Sequence, residues 1–249
     1  MSDKYPTLSP YNYCAWNPVK LVDPDGKSYS EFDENGNYLQ TIKDNWWHNF
    51  WHGRKGRIID GNGNVLQSFK FADPKNDVTD LKNGTIKKIY FVKESDIISM
   101  LSAAGVFNEE NKVYNKDWNN RYDYIEKEGQ GGGKFDFSYN TTTGIPAQYP
   151  DASSAPLIRP SSMLFLVDGV AHNHMNFGNF LFGAAGKALG LSLFELKMGA
   201  QWNSLTNPTS NGYRRQFDSQ DDQFSIKKGV QHARLHGYKT IYYKVIVCP

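Results

Sequence analysis

The chain has 249 residues, 39% of them hydrophobic and 14% aromatic, enough apolar material for a real core and too much for a disordered chain. A formal charge of +2 excludes a strong overall pull toward nucleic acid or anionic membrane, so a nucleic-acid partner needs a local basic patch. The two cysteines, Cys14 and Cys248, supply neither a disulfide framework nor a metal-ligand spacing, no apolar run approaches the ~18 residues of a membrane span, and the N-terminus lacks an export pattern.

Residues 5–26 alternate prolines with aromatics and end in Asp23-Pro24-Asp25-Gly26, an extended, turn-punctuated stretch that excludes helix. Asn17-Pro18 followed by Asp23-Pro24-x-Gly26 resembles the end of the core region of Rhs and YD-repeat proteins, where a conserved shell stops and a variable C-terminal toxin begins. Lys27 stands where many of those relatives carry leucine. The resemblance covers residues 1–26 and implies that the remainder of the chain is the toxin end alone.

Residues 27–45 are polar, with Asn35-Gly36 marking a linker or a loose hairpin. Trp46, Trp47 and Trp51 interleave with His48 and His52, read as a packing plug, because two isolated histidines rarely suffice for a metal. From Gly56 to Phe71 apolar residues flank Asp60-Gly61-Asn62-Gly63, which predicts a β-hairpin. A strand is expected over Thr85–Val92 and a helix over Ser95–Ala104, stopped by Gly105. A further helix is expected around Trp118–Glu126. The run Gly129-Gln130-Gly131-Gly132-Gly133 lacks the Lys-Ser/Thr of a phosphate-binding loop and reads as a hinge.

Beyond it, Lys134–Tyr139 predicts a short strand and residues 141–160 a Pro/Ser-rich loop. Met163–Val167 is an apolar run suited to a buried central strand, ending at Asp168-Gly169 and leading to His172 and His174. In an extended chain those two imidazoles lie on one side. Asn176 is a candidate N-cap for a helix over Phe177–Leu189, and Ser192 with Glu195 forms a capping box for a helix from Leu193 to about Asn203. Asp218 or Ser219 caps a third helix, which runs to His236 and stops at Gly237. Lys239–Val247 alternates as a final strand, and no internal repeat is evident. The pattern is α+β: a hairpin and strand-helix region over residues 27–128, then a mainly helical region with a few strands over residues 134–249.

Three clusters could carry chemistry. His172 and His174 could act as general acid and base in phosphodiester cleavage, a pairing that needs one neutral and one protonated imidazole near pH 7. Asp218, Asp221 and Asp222 with Gln223 could position a ligand or a divalent metal, although aspartates in a first helical turn are also what capping and the helix dipole favour. His232 and His236 share a helix face, but Ala233 stands where a zinc-peptidase motif has glutamate, so dipole complementation is the expected role. No cofactor beyond an optional divalent metal is implied.

From Leu164 through Gly237 the chain resembles the polymorphic toxin type 44 family. The carrying phrases are Asn176-Phe177-Gly178-Asn179-Phe180 with Gly183, Gly199-Ala200 with Asn203, and Asp218-Ser219 with Asp221-Asp222-Gln223 and Ser225-Ile226. Relatives often place a histidine after the Gly-Ala pair, where this chain has Gln201 and Trp202. The resemblance implies an antibacterial toxin delivered into a neighbouring cell by a contact-dependent apparatus such as type VI secretion, carried by an Rhs shell and neutralised by a cognate immunity protein. Most such toxins are nucleases, which makes nucleic acid, RNA ahead of DNA, the expected cytoplasmic substrate and leaves no role for a membrane. On that expectation Asn179 orients the histidines or the phosphate, and Arg214, Arg215, Gln223 and Trp202 bind substrate. The rival expectation is a periplasmic cell-wall hydrolase using a carboxylate and an aromatic sugar platform.

Overall fold

The computed structural model describes residues 29–42, 55–106, 123, 125–129, 133–135, 137, 162–206 and 217–238. The expected Trp46–Trp51 plug and the Lys239–Val247 strand lie outside them, as do Arg214 and Arg215 and most of the Trp118–Glu126 helix.

Two hairpins open the fold. β1 (Tyr29–Phe32) pairs antiparallel with β2 (Tyr38–Thr41), and β3 (Lys55–Ile59) with β4 (Val65–Phe71). Both turns read Asp-x-Asn-Gly-Asn, at residues 33–37 and 60–64, and both are built alike. The aspartate Oδ1 accepts the backbone N–H of the residues two and four positions on, and the glycine adopts positive φ, 82° at Gly36 and 84° at Gly63. A short repeated motif is therefore present where none was expected. Residues 27–45 thus include a regular hairpin.

β1 lies parallel to β3, and the sheet continues through β7 (Val170–His172) and β6 (Met163–Val167) to β5 (Lys88–Phe91), in the order β2-β1-β3-β4-β7-β6-β5. β4 is parallel to β7 and β5 to β6, so strands from either side of the glycine run share one sheet. Its two ends also meet: Tyr38 N–H donates to the Lys87 carbonyl and Ile89 N–H to that of Gly36, at 2.9 and 2.7 Å. Gly36 permits that closure, because a Cβ there would strike the Ile89 carbonyl.

All five residues of β6 are buried, as the apolar run required, because both sheet faces are covered. Leu164 and Leu166 face a core formed with Phe32, Ile58, Phe69, Phe71 and the helix α1 (Asn76–Asn83), which supplies Val78 and Leu81. Met163, Phe165 and Val167 face the other core, built with α2 (Glu94–Ala103), α3 (His174–Ala188), α4 (Leu193–Thr206) and α5 (Gln220–Leu235). The α+β expectation therefore holds, as a mixed sheet with helices on both faces.

Two local expectations are corrected. Residues 133–135 and 137 form turns rather than strand: Phe135 N–H donates to the Glu128 carbonyl and Lys134 N–H to its carboxylate, folding the segment back on the preceding helical turn. α3 starts three residues earlier than expected, because Asn173, not Asn176, is its N-cap, accepting the Asn176 N–H at 3.0 Å. His172 thus ends a strand while His174 opens a helix, so the two do not share one strand face. The capping box at Ser192/Glu195 forms as the sequence predicts, and of the two expected caps for α5, Asp218 or Ser219, it is Ser219 that serves, in a capping box with Asp222.

α3 and α5 cross at very close range. A Cβ at Gly183 would collide with the Ile226 carbonyl, and one at Gly229 with the Phe180 carbonyl, so these glycines are required by the approach of backbone to backbone. The pairing fixes α5 against α3, and His232 near its C-terminal end meets Asp168 of the β6–β7 turn. No described helix is long and apolar enough to cross a membrane.

Candidate active site

The tight turn between β6 and β7 places Asp168 at φ 48° and Gly169 at φ 71°. Two central residues with positive φ suit a two-residue antiparallel hairpin, and aspartate is among the few non-glycine residues that tolerate the position. The turn projects the Asp168 carboxylate toward the C-terminal end of α5. There Asp168 Oδ2 lies 2.8 Å from His232 Nδ1. The hydrogen bond from His232, opposed by partial burial, holds the Asp168 carboxyl below the ordinary carboxylate value.

The other ring nitrogen of His232 is equally committed. Nε2 lies 2.9 Å from Glu94 Oε2, at the first position of α2, and 3.0 Å from the Tyr238 hydroxyl. His236, one turn further along α5, brings Nδ1 to 3.3 Å from the same Glu94 oxygen. Burial, reinforced by Glu94, pushes the Tyr238 phenol upward, so it stays protonated at neutral pH. His232 is 2% exposed and packs against Phe180, whose ring is itself stacked on Phe177. Side chains from α2, the β6–β7 turn and α5 thus fix one imidazole from both sides.

This cluster adjoins solvent. A cleft of about 300 Å³ runs past it, lined by Gln67, Phe91, Val92, Ile97, Leu166, Val167 and Gly169 together with Glu94, Asp168, His232 and His236. Lys228, one turn back along α5, is near enough for its charge to stabilise the Asp168 anion. An imidazole held between carboxylates beside a cleft can relay a proton, or it can present a lone pair to a metal while the second carboxylate fixes its tautomer.

The residues expected to be catalytic lie elsewhere. His172 is fully buried, with Nδ1 3.0 Å from Ser225 Oγ and its ring against Phe180. Burial, with Lys228 adding to it, lowers its pKa to about 3, so the ring is neutral at pH 7 and turned away from solvent. Burial also lowers the pKa of His174. His172 is therefore neutral near pH 7, burial disfavours the charged form of His174, and the two imidazoles do not share the single strand face on which the expected acid–base pairing relied.

Asn179, Asp218, Asp221, Asp222 and Gln223 do come together, at the opposite end of α5. Asn176 Nδ2 donates to Asp221 at 3.0 Å and Asn179 Nδ2 to Asp222 at 2.7 Å. Asp218 accepts from Gln223 at 2.6 Å and from Ser204 at 3.1 Å. Asp77 on α1 continues the network by accepting from Asn173 at 2.9 Å. Burial raises the carboxyls, Asp77 to about 7 and Asp222 to about 6, and Asp218 in the same direction. These aspartates are matched with amides and hydroxyls, an arrangement that ties α3, α5 and α1 together. Among the described residues, only Glu94, His232 and His236 bring three candidate metal-ligand atoms within 4.8 Å of one another.

Ten residues separate Asp222 from His232, so the two clusters sit about 15 Å apart along the helix. Trp202 is exposed on α4 and does not line the cleft. The i, i+4 spacing of His232 and His236 was the one sequence signal of the cleft, and its partners Glu94 and Asp168 come from other elements. Compared with known proteins, the chain matches no family model, no curated protein and no solved structure.

Proposed function

We propose that this chain is the toxin end of an Rhs-type effector, and that it hydrolyses nucleic acid, RNA ahead of DNA, at the cleft bounded by Glu94, Asp168, His232 and His236. The observation carrying the reading is the line Asp168–His232–Glu94: an imidazole with a carboxylate at each nitrogen, 2.8 and 2.9 Å away, on the wall of a solvent-open cleft. Hydrolysis requires a water made nucleophilic and held against the scissile centre, and this group of side chains is suited to that task. The Lys228 charge is felt at Asp168, although the net charge of +2 provides little general attraction to nucleic acid. The toxin assignment and the immunity partner rest on the resemblances at Asn17–Gly26 and Leu164–Gly237.

The test is expression of the chain from a tightly repressed promoter in a susceptible bacterium, with and without a periplasmic export signal. Growth arrest only without the signal, followed within minutes by loss of intact RNA or DNA, is the expected result. Arrest only with the signal would overturn the nuclease reading and make the cell wall the substrate.

A further inference from the structure

We propose that Glu94 Oε2, His232 Nε2 and His236 Nδ1 are the protein ligands of a transition-metal dication of the zinc class. This deepens the reading above and rests on it for the metal's role in hydrolysis, though binding itself is measurable without it.

Two of the three ligand–ligand distances are those of a coordination shell, and all three ligand atoms lie within 4.8 Å of one another. Ligand atoms about 2.0–2.2 Å from one metal, at tetrahedral to right angles, lie about 2.8–3.6 Å from each other. Glu94 Oε2 is 2.9 Å from His232 Nε2 and 3.3 Å from His236 Nδ1, inside that interval. The two imidazoles are near one another, with ring centroids 4.2 Å apart.

The hydrogen-bond geometry points the same way. His232 Nδ1 lies 2.8 Å from the Asp168 carboxylate, and the neutral tautomer that donates to it leaves Nε2 facing a carboxylate oxygen. In that tautomer Nε2 and Glu94 Oε2 are two acceptors 2.9 Å apart, an approach that a shared cation would relieve, while the Tyr238 hydroxyl, 3.0 Å from Nε2, also offers that nitrogen a donor. Both Glu94 oxygens are shielded from solvent and close no hydrogen bond of good geometry, although the Tyr238 phenol is near enough to interact with this carboxylate and the side chain as a whole is a third exposed. Asp168 then takes the part commonly found behind a metal-bound histidine, a carboxylate that fixes the tautomer and raises the basicity of the ligand nitrogen. Its left-handed backbone is the local strain that places the carboxylate there.

Two imidazoles and one carboxylate select against Mg²⁺ and Ca²⁺, which prefer all-oxygen shells. Three protein ligands leave a tetrahedral ion one open position, and the cleft adjoins all three.

A doubly protonated His232 bridging Asp168 and Glu94 would also satisfy the distances, and metal binding separates the two cases. The full chain, purified and stripped with chelator, is titrated with Zn²⁺ by calorimetry and with Co²⁺ by visible absorption. One equivalent of Zn²⁺ is expected, with a d–d band of four- or five-coordinate Co²⁺. His236→Ala, at a half-exposed position that leaves the core intact, should weaken Zn²⁺ binding at least a hundredfold and remove the band. Asp168→Asn should weaken it by roughly tenfold to a hundredfold. No Zn²⁺ binding in the micromolar range by folded wild-type chain overturns the proposal, as does unchanged affinity in His236→Ala. Metal bound as expected in a chain that proves non-toxic would leave this site standing and remove the nuclease reading instead. Toxicity that requires His232 in a chain that binds no metal would do the reverse.

Discussion

Asp168 Oδ2 and His232 Nδ1 lie 2.8 Å apart, joining the β6–β7 turn to the far end of α5 across 64 positions of sequence. The contact orients an imidazole at a cleft and is made from a backbone conformation that few residues tolerate. Asparagine shares aspartate's tolerance of the left-handed region and has nearly the same volume. Asp168→Asn should therefore keep the fold, with a thermal midpoint within a few degrees of wild type, and lower hydrolytic activity by at least about tenfold. Circular dichroism and a turnover assay read the two quantities. A folded Asp168→Asn chain with undiminished activity would show that the pair is not part of the working site.

His172 is expected to stay neutral well into acid. Its folded pKa of about 3 lies below the ordinary value, so its contribution to stability is complete above about pH 6.5. That contribution is lost as pH falls, because the unfolded chain takes up the proton first. Imidazole ¹⁵N shifts at pH 5 should report a neutral ring. A protonated ring at pH 5 would place His172 in a more polar setting than the core seen here.

Asp77 and Asp222 act with the opposite sign. Their folded pKa values, about 7 and about 6, lie above the ordinary carboxylate value, so the folded chain holds protons that the unfolded chain has released. Stability from these groups is greatest below about pH 4 and declines as pH rises toward 6 to 7. Asp77→Asn should remove part of that decline. Urea midpoints at pH 5 and pH 7.5 test it: the variant gains on the wild type at the higher pH, and an equal difference at both would contradict the assignment.

The α3–α5 crossing should be intolerant of a single methyl group. Gly229→Ala places a Cβ against the Phe180 carbonyl and the Ala184 amide nitrogen, neither of which can move without its helix. Overpacking of this kind costs about 1–3 kcal/mol. Because α5 also carries His232, the shift should lower activity even where the chain remains folded. Denaturant unfolding alongside a turnover assay measures both effects, and a neutral Gly229→Ala would mean the helices are farther apart than described.

Much of the fold is legible in sequence because its signals are local. The apolar run at Met163–Val167, the Asp168-Gly169 turn, the hairpin around Asp60–Gly63 and the capping boxes at Ser192 and Ser219 all act within a few residues, and all form. α1 carries no comparable signal, because it is only eight residues long and lacks a side-chain N-cap bond. The start of α3 is ambiguous in sequence because Asn173 and Asn176 are both good caps, and only the end of β7 at His172 decides between them. The site is least legible. His232 and His236 have a spacing that a helix dipole also accounts for, and what turns them into a site is Glu94, placed after a strand that pairs with the distant β6, and Asp168, met by α5 where it packs against α3. Conversely, the aspartates near Asp218 resemble a ligand cluster, yet each is occupied by an amide or hydroxyl from α3, α4 or α5 itself.

The measurement that bears most directly on the central claim is growth of a susceptible bacterium expressing His232→Ala beside wild type and His174→Ala, with matched protein levels and folding checked by circular dichroism. The cleft assignment predicts that His232→Ala abolishes arrest and that His174→Ala retains it. Full toxicity from a folded His232→Ala chain, with toxicity lost in His174→Ala, would contradict it.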